Sequence, residues 1–288
     1  MLHDMSVVAE TLWYIEGHLT GDLSVESIAD ALGISRFHAT RAFALATGMS
    51  ISEYARARRL SLSAHALADG ASDILDVALS AGYGSHEAFT RAFRQRFGKT
   101  PEQVRTEGQT QTLNLMEPMR MNPQTDKTLK PPRQTRRDAF LVFGLGQTYG
   151  GKNGASMANI PSQWDRFLPQ RGHIEHQVGS TTYGVCTNTD DAGCMLYVSG
   201  VEVSEFPSEP ASFTRLRIPP LHYAVFEHTG HVTGVQASWN NIWQHGLRDA
   251  GLQAADGPCF ELYGERFDGK SGNGGFELWI PIRRERST

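Results

Sequence analysis

The string Thr40-Arg41-Ala42-Phe43 returns as Thr90-Arg91-Ala92-Phe93, 50 residues later. Around it, the segments SRFHATRAFALATG (35–48) and SHEAFTRAFRQRFG (85–98) lie in register. Read at helical spacing, each segment buries a stripe: Ala39, Ala42, Phe43 and Ala46 in one, Phe89, Ala92, Phe93 and Phe97 in the other. The opposite face carries Arg36, Phe37, Thr40 and Arg41 in the first copy and His86, Glu87, Thr90, Arg91 and Arg94 in the second. Those side chains can read duplex DNA. Arginine grips guanine bidentately, threonine meets a base edge or a thymine methyl, and glutamate accepts from the cytosine amine. Phe37 departs from a polar reader, and suits a methyl contact or plain packing.

A second constellation lies near the C-terminus. In CFELYGE, strand alternation sends Glu261 and Tyr263 to one side and Phe260 and Leu262 to the other. In GFELWIP, Glu277 and Trp279 share a face in the same way. Trp164, Tyr183, Tyr197, Tyr223, Phe226 and Trp243 supply further rings on neighbouring elements. A carboxylate among aromatic rings suits a lipophilic cation, because the rings attract and bury it while the carboxylate neutralises its charge. A water-facing strand glutamate beside an aromatic core produces the same pattern, and spacing alone does not separate the two.

Other groupings are ordinary. His222, His228 and His231 have no usual zinc spacing. GKSGNGG (269–275) lacks the ending of a phosphate loop and reads as a hairpin. Asp190-Asp191 reads as a turn. No nucleophile–base arrangement has a recognisable context. We expect no catalytic residue, no metal site and no cofactor.

The elements that must hold these groups also repeat. VESIADALGIS (25–35) faces ILDVALSAGYGS (74–85), so each unit reads as a short helix, a turn at Gly33 or Gly82, and a second helix capped by Ser35 or Ser85 and closed near Gly48 or Gly98. Two short helices around a glycine turn make a helix-turn-helix. A helix over 53–68, with a Ser50/Glu53 capping box, joins the units. It would set the two reading helices about one DNA turn apart, on one side of a duplex. Against this, residues 1–107 hold ten Lys/Arg and thirteen Asp/Glu. Phosphate binding therefore needs the basic residues gathered on one face.

The whole chain has 288 residues, a net charge of −4 and 40% hydrophobic residues, which suit a soluble protein of about two domains. No apolar run spans a membrane, and the acidic, interrupted N-terminus is no signal peptide. Three cysteines without a CxxC pair indicate reduced thiols and a cytoplasmic location. Residues 1–107 read as all-α and 108–130 as a polar, proline-containing linker. Residues 131–288 read as α+β, itself written twice: 139–203 and 222–283 each run strand, helix, strand, strand, with Trp164 matching Trp239. Joined edge to edge, the halves make one sheet backed by two helices, with a groove expected on the other face.

The stretches LSVESIADALGISRFHATRAFALATGMSISEYARARRL and DVALSAGYGSHEAFTRAFRQRFGKTPEQVR resemble the DNA-binding domain of AraC-family transcriptional regulators. That resemblance places Arg36, Phe37, Thr40 and Arg41, and then His86, Glu87, Thr90 and Arg91, at base-reading positions. IPSQWDRF, YGVCTN, YAVFEHTGHV, FELYGERF and FELWIPI together resemble the GyrI-like, or Rob-like, effector-binding domain. It implies a small-molecule pocket with Glu261 as its glutamate, then Tyr223, Trp243, Trp164 and Tyr183. Such domains often bind amphipathic cationic drugs or dyes, and a few hydrolyse small electrophiles. The expectation is a non-enzymatic, ligand-responsive regulator whose partners are promoter or operator DNA, a small hydrophobic or cationic effector, and RNA polymerase. The alternatives are a hydrolase with Glu261 as general base, or a constitutive regulator with a vestigial pocket.

Overall fold

The computed structural model describes residues 6–21, 23–71, 73–119, 129–150, 157–187, 194–208, 210 and 212–283. Residues 120–128 of the expected linker and the Asp190-Asp191 turn lie outside the described residues.

Seven helices come first: α1 (Val7–Gly17), α2 (Val25–Leu32), α3 (Arg36–Thr47), α4 (Ile51–Ala68), α5 (Ile74–Ser80), α6 (His86–Phe97) and α7 (Pro101–Glu107). Their ends follow from local chemistry. Ser35 accepts from the His38 N–H and Ser85 from the Ala88 N–H, and Gly48 and Gly98 take the left-handed conformation that closes both second helices. The Ser50/Glu53 capping box starts α4. Both helix-turn-helix units are present, as α2–α3 and α5–α6.

The strands that follow form one antiparallel sheet. They are β1 (Arg133–Arg137), β2 (Phe140–Tyr149), β3 (Gln177–Thr187), β4 (Met195–Val203), β5 (Thr214–Ile218), β6 (Leu221–His228), β7 (Cys259–Tyr263) and β8 (Phe276–Pro281). Their spatial order is β1-β6-β8-β7-β3-β4-β2-β5. The two sequence halves thus meet at the β3–β7 pair, where Gly184 stands opposite Glu261 and Cys186 opposite Cys259. Helix α8 (Ile160–Phe167) follows β2. Its counterpart α9 (Val235–Asn241) follows β6 and continues through a π turn at Ile242–Gly246.

The core is not divided at the linker. One apolar cluster runs from α1, α2 and α3 (Val8, Ile28, Phe43) straight into α9 and the sheet (Trp239, Trp243, Leu278). The second unit has a separate core, built by Leu60, Ala64 and Leu67 of α4 with Phe89, Phe93 and Val104. Helix α4 therefore serves both clusters. The segment after α7 is tied to it: Ser61 Oγ accepts from the Met116 N–H at 2.8 Å, the Met119 N–H donates to the Tyr54 hydroxyl at 3.0 Å, and Arg58 donates to the Met116 carbonyl at 2.6 Å. Arg58 also forks onto the Glu16 carboxylate of α1.

Candidate effector site and nucleic-acid interface

The groove expected on the sheet face away from the helices is not the site. That face buries its own aromatic layer, in which Phe140, Tyr183, Tyr223, Phe260 and Trp279 pack together. The Arg137 guanidinium lies 3.9 Å from the Phe140 ring centroid. Tyr183 and Tyr223 belong to this layer, so the structure does not bring them to Glu261. Alternation explains it: Leu262 is paired with Tyr183 across β3–β7, one residue out of phase with Glu261. Sequence spacing separates the two faces but does not say which one the helices cover.

Glu261 points to the helix-covered face. Its carboxylate accepts from Trp239 Nε1 at 2.9 Å, the Tyr197 hydroxyl at 2.7 Å and the Tyr263 hydroxyl at 3.0 Å. Trp164 Nε1 donates in turn to the Tyr197 hydroxyl at 2.9 Å, and its ring packs edge-on against Tyr263. Trp164 is set by its neighbour Gln163, whose amide donates to the Leu145 and Tyr197 carbonyls while its oxygen accepts from Tyr149. Those bonds hold α8 on the sheet. Gly184 leaves the necessary space, since a Cβ there would collide with both the Tyr197 hydroxyl and the Glu261 carboxylate. Burial pushes the Glu261 carboxyl above its usual range, while its three donors and the positive charge of Arg41 pull the other way without cancelling the rise. Burial, reinforced by Glu261, also drives the Tyr197 and Tyr263 hydroxyls well up, so both remain donors.

A buried cation of the chain itself shares the Trp239 ring with this carboxylate and pulls on its charge. Arg41 is only 3% exposed. Its guanidinium carbon lies 5.6 Å from the Phe37 ring centroid, 5.9 Å from Trp239 and 5.8 Å from Trp243. The two indoles are stacked, 17° apart in plane. The guanidinium also donates to the Cys186 thiol, with Cys259 close by. Burial drives the Cys186 thiol up to about 11 and Cys259 to about 12, so neither offers a thiolate at neutral pH. Trp243 therefore lies beside Arg41 and Trp239. Tyr197, Trp239, Tyr263 and Gly184 complete the Glu261 site, although the sequence reading did not select them as ligands. The shared period of Tyr263 with Glu261 on β7, and the repeat that equates Trp239 with Trp164, carry part of that information; nothing local marks Gly184.

Arg41 arrives with the whole of α3. Phe37 packs edge-on against Trp243 at 5.8 Å, and His38 Nε2 donates to the Trp243 carbonyl at 2.8 Å. Burial drives the His38 imidazole down to about 4, against the pull of that carbonyl. The ring is therefore neutral, with its hydrogen on Nε2. On the rim, Arg248 forks onto the Glu10 carboxylate of α1 at 2.7 and 2.8 Å. A crevice of about 210 Å³ runs along the same seam beside Ser35, His38 and Arg248.

The two reading helices thus stand differently from the expected matched pair. In α3, Thr40 and Arg41 are buried and Phe37 is covered by the effector-side tryptophan, while Arg36 stays exposed and paired with Glu26. In α6, His86, Glu87, Arg91 and Arg94 are exposed and Thr90 is half-buried. Glu87 turns its carboxylate back to its own N–H and Ser85, which hold it below the usual range. That is a helix-start contact and leaves Arg91 and Arg94 as the outward charges. Among the described residues no group of three His, Cys, Asp or Glu is placed to hold a metal. His228 is occupied by Ser238 and the His231 carbonyl. No helix of the described residues is long and apolar enough to cross a membrane.

Comparison with known proteins agrees with both halves. Residues 28–107 match the family described as a helix-turn-helix domain, and residues 135–282 match the family described as integron-associated effector binding protein. The transcriptional regulator Rob of Salmonella typhimurium is 30% identical over 96% of this chain and 98% of its own length. The right origin-binding protein of Escherichia coli K12 is 29% identical over the same shares of the two chains. The transcriptional regulator BrlR of Pseudomonas aeruginosa is 33% identical over 52% of this chain and 54% of its own. The chain belongs to the AraC family of transcriptional regulators, with a GyrI-like effector-binding domain behind its double helix-turn-helix.

Proposed function

We propose that this chain is a cytoplasmic, sequence-specific DNA-binding regulator that responds to a small hydrophobic cation held at Glu261, and that occupancy of the site changes its engagement of the promoter or of RNA polymerase. One observation carries the effector class. Glu261 is a buried carboxylate walled by indole and phenol rings, and the Trp239 ring that donates to it also lies against the delocalised cation of Arg41. In so buried a site a carboxylate is tolerable when paired, and flat cations gain from the ring faces. Trp164 and Trp243 join Glu261 as contacts, with Tyr197, Trp239 and Tyr263. Residues 1–107, 108–130 and 131–288 serve as DNA-binding domain, linker and effector domain. Arg36, His86, Thr90, Arg91 and Arg94 are the outward groups available to DNA. The three donors already engage the Glu261 oxygens, which favours a fixed partner for a bound cation over a free general base and supports binding without turnover.

Titration of the tryptophan fluorescence with tetraphenylphosphonium and with the uncharged triphenylphosphine oxide tests this reading. The cation should bind at least tenfold tighter to the native chain, and Glu261→Gln should remove that preference. Equal weakening of both compounds by Glu261→Gln would reject the charge argument. Steady consumption of an activated ester, abolished by the same substitution, would favour the hydrolase.

A further inference from the structure

We infer that Arg41 is the resident cation of the Glu261 site, so that an incoming cationic effector and the docked first reading helix exclude one another. This rests on the effector reading above and adds how the site is regulated.

Three observations converge. The Arg41 guanidinium sits among Phe37, Trp239 and Trp243, all within 6 Å of its carbon. The Trp239 indole that the guanidinium lies against donates its Nε1–H to the buried Glu261 carboxylate at 2.9 Å, so one ring touches both the cation and the anion. The helix carrying Arg41 is seated by His38 on the Trp243 carbonyl and Phe37 on the Trp243 ring, and α1 beside it by Glu10 on Arg248. Thr40 and Arg41 are base-reading positions by their helix face, yet both are buried here. A guanidinium cannot neutralise Glu261 and grip a guanine together. The same exclusion holds for a second cation, which would set two positive charges against one carboxylate in a buried site. An effector cation takes the ring faces and the carboxylate, Arg41 leaves, and α3 is freed with it. Linkage then makes the relation mutual: operator DNA, by holding α3, raises the affinity for the cation.

Hydrogen exchange of the native full chain tests the competition without any substitution. Saturating tetraphenylphosphonium should speed exchange of the α3 amides at least tenfold and leave those of α6 unchanged. Arg41→Gln, which removes the resident charge, should bind the same cation at least tenfold tighter than the native chain. Cation binding that leaves α3 protection unchanged would overturn the competition while sparing the effector reading. Failure of the cation to bind either protein would overturn both. Should Arg41→Gln misfold, the native-chain exchange result decides alone.

Discussion

The two reading helices descend from one pattern and end in different environments. Through Thr-Arg-Ala-Phe they are identical; beyond it α3 continues Ala44-Leu45-Ala46 and α6 continues Arg94-Gln95-Arg96. Position 37 is phenylalanine where position 87 is glutamate. A helix apolar on most of its circumference is covered on most of it, and α3 packs against its own unit on one side and α9 on the other. Helix α6 has only one apolar side, filled by Phe89 and Phe93. The likeness between copies reveals the motif, and the residues that differ reveal which copy has a partner.

The strongest way to break this contrast is to remove the carboxylate. Glu261→Ala removes the buried carboxylate that couples to the Arg41 guanidinium, and losing one member of a buried charge pair typically costs about 3–5 kcal/mol. Thermal unfolding should show the loss, with α3 the first element to lose exchange protection; an unchanged midpoint would mean that Arg41 does not depend on Glu261.

Acid should act next. His38 is held neutral at about 4 from an ordinary 6.5, so the unfolded or undocked state binds the extra proton. Its contribution is complete above 6.5, shrinks as the pH falls and is gone near 4. Docking should weaken by roughly two orders of magnitude across that window. Exchange rates of α3 against pH measure it, and His38→Gln, which keeps a donor but does not titrate, should flatten the profile.

The smallest effect sharpens the contrast from the second copy. Arg91→Ala should weaken discrimination between operator and scrambled DNA by about 1–3 kcal/mol and leave thermal stability untouched, because Arg91 is exposed. A drop in the unfolding midpoint would show that α6 also has a hidden partner.

Much of this was legible in the residues. Serine caps, glycine ends and 3.6-residue stripes are local, and each appears where the sequence places it. The Glu261/Tyr263 side of β7 follows from alternation alone, and the hydroxyl of Tyr263 does meet that carboxylate. Two features were not legible. Strand period leaves open which face carries the helices, so it cannot separate Tyr183 and Tyr223 from Glu261. Nor does any local pattern say that α3 meets α9, because that seam joins residues about two hundred positions apart, as His38 and Trp243 are.

Helix α4 spans both cores as one uninterrupted rod of 18 residues. The step between the two reading helices is therefore written in its length, about 27 Å at 1.5 Å per residue. Its angular phase is written there too: one inserted residue would rotate the second reader by about 100° relative to the first. In the regulator proposed above, half-site spacing follows from that count, and lengthening or shortening the rod would change it.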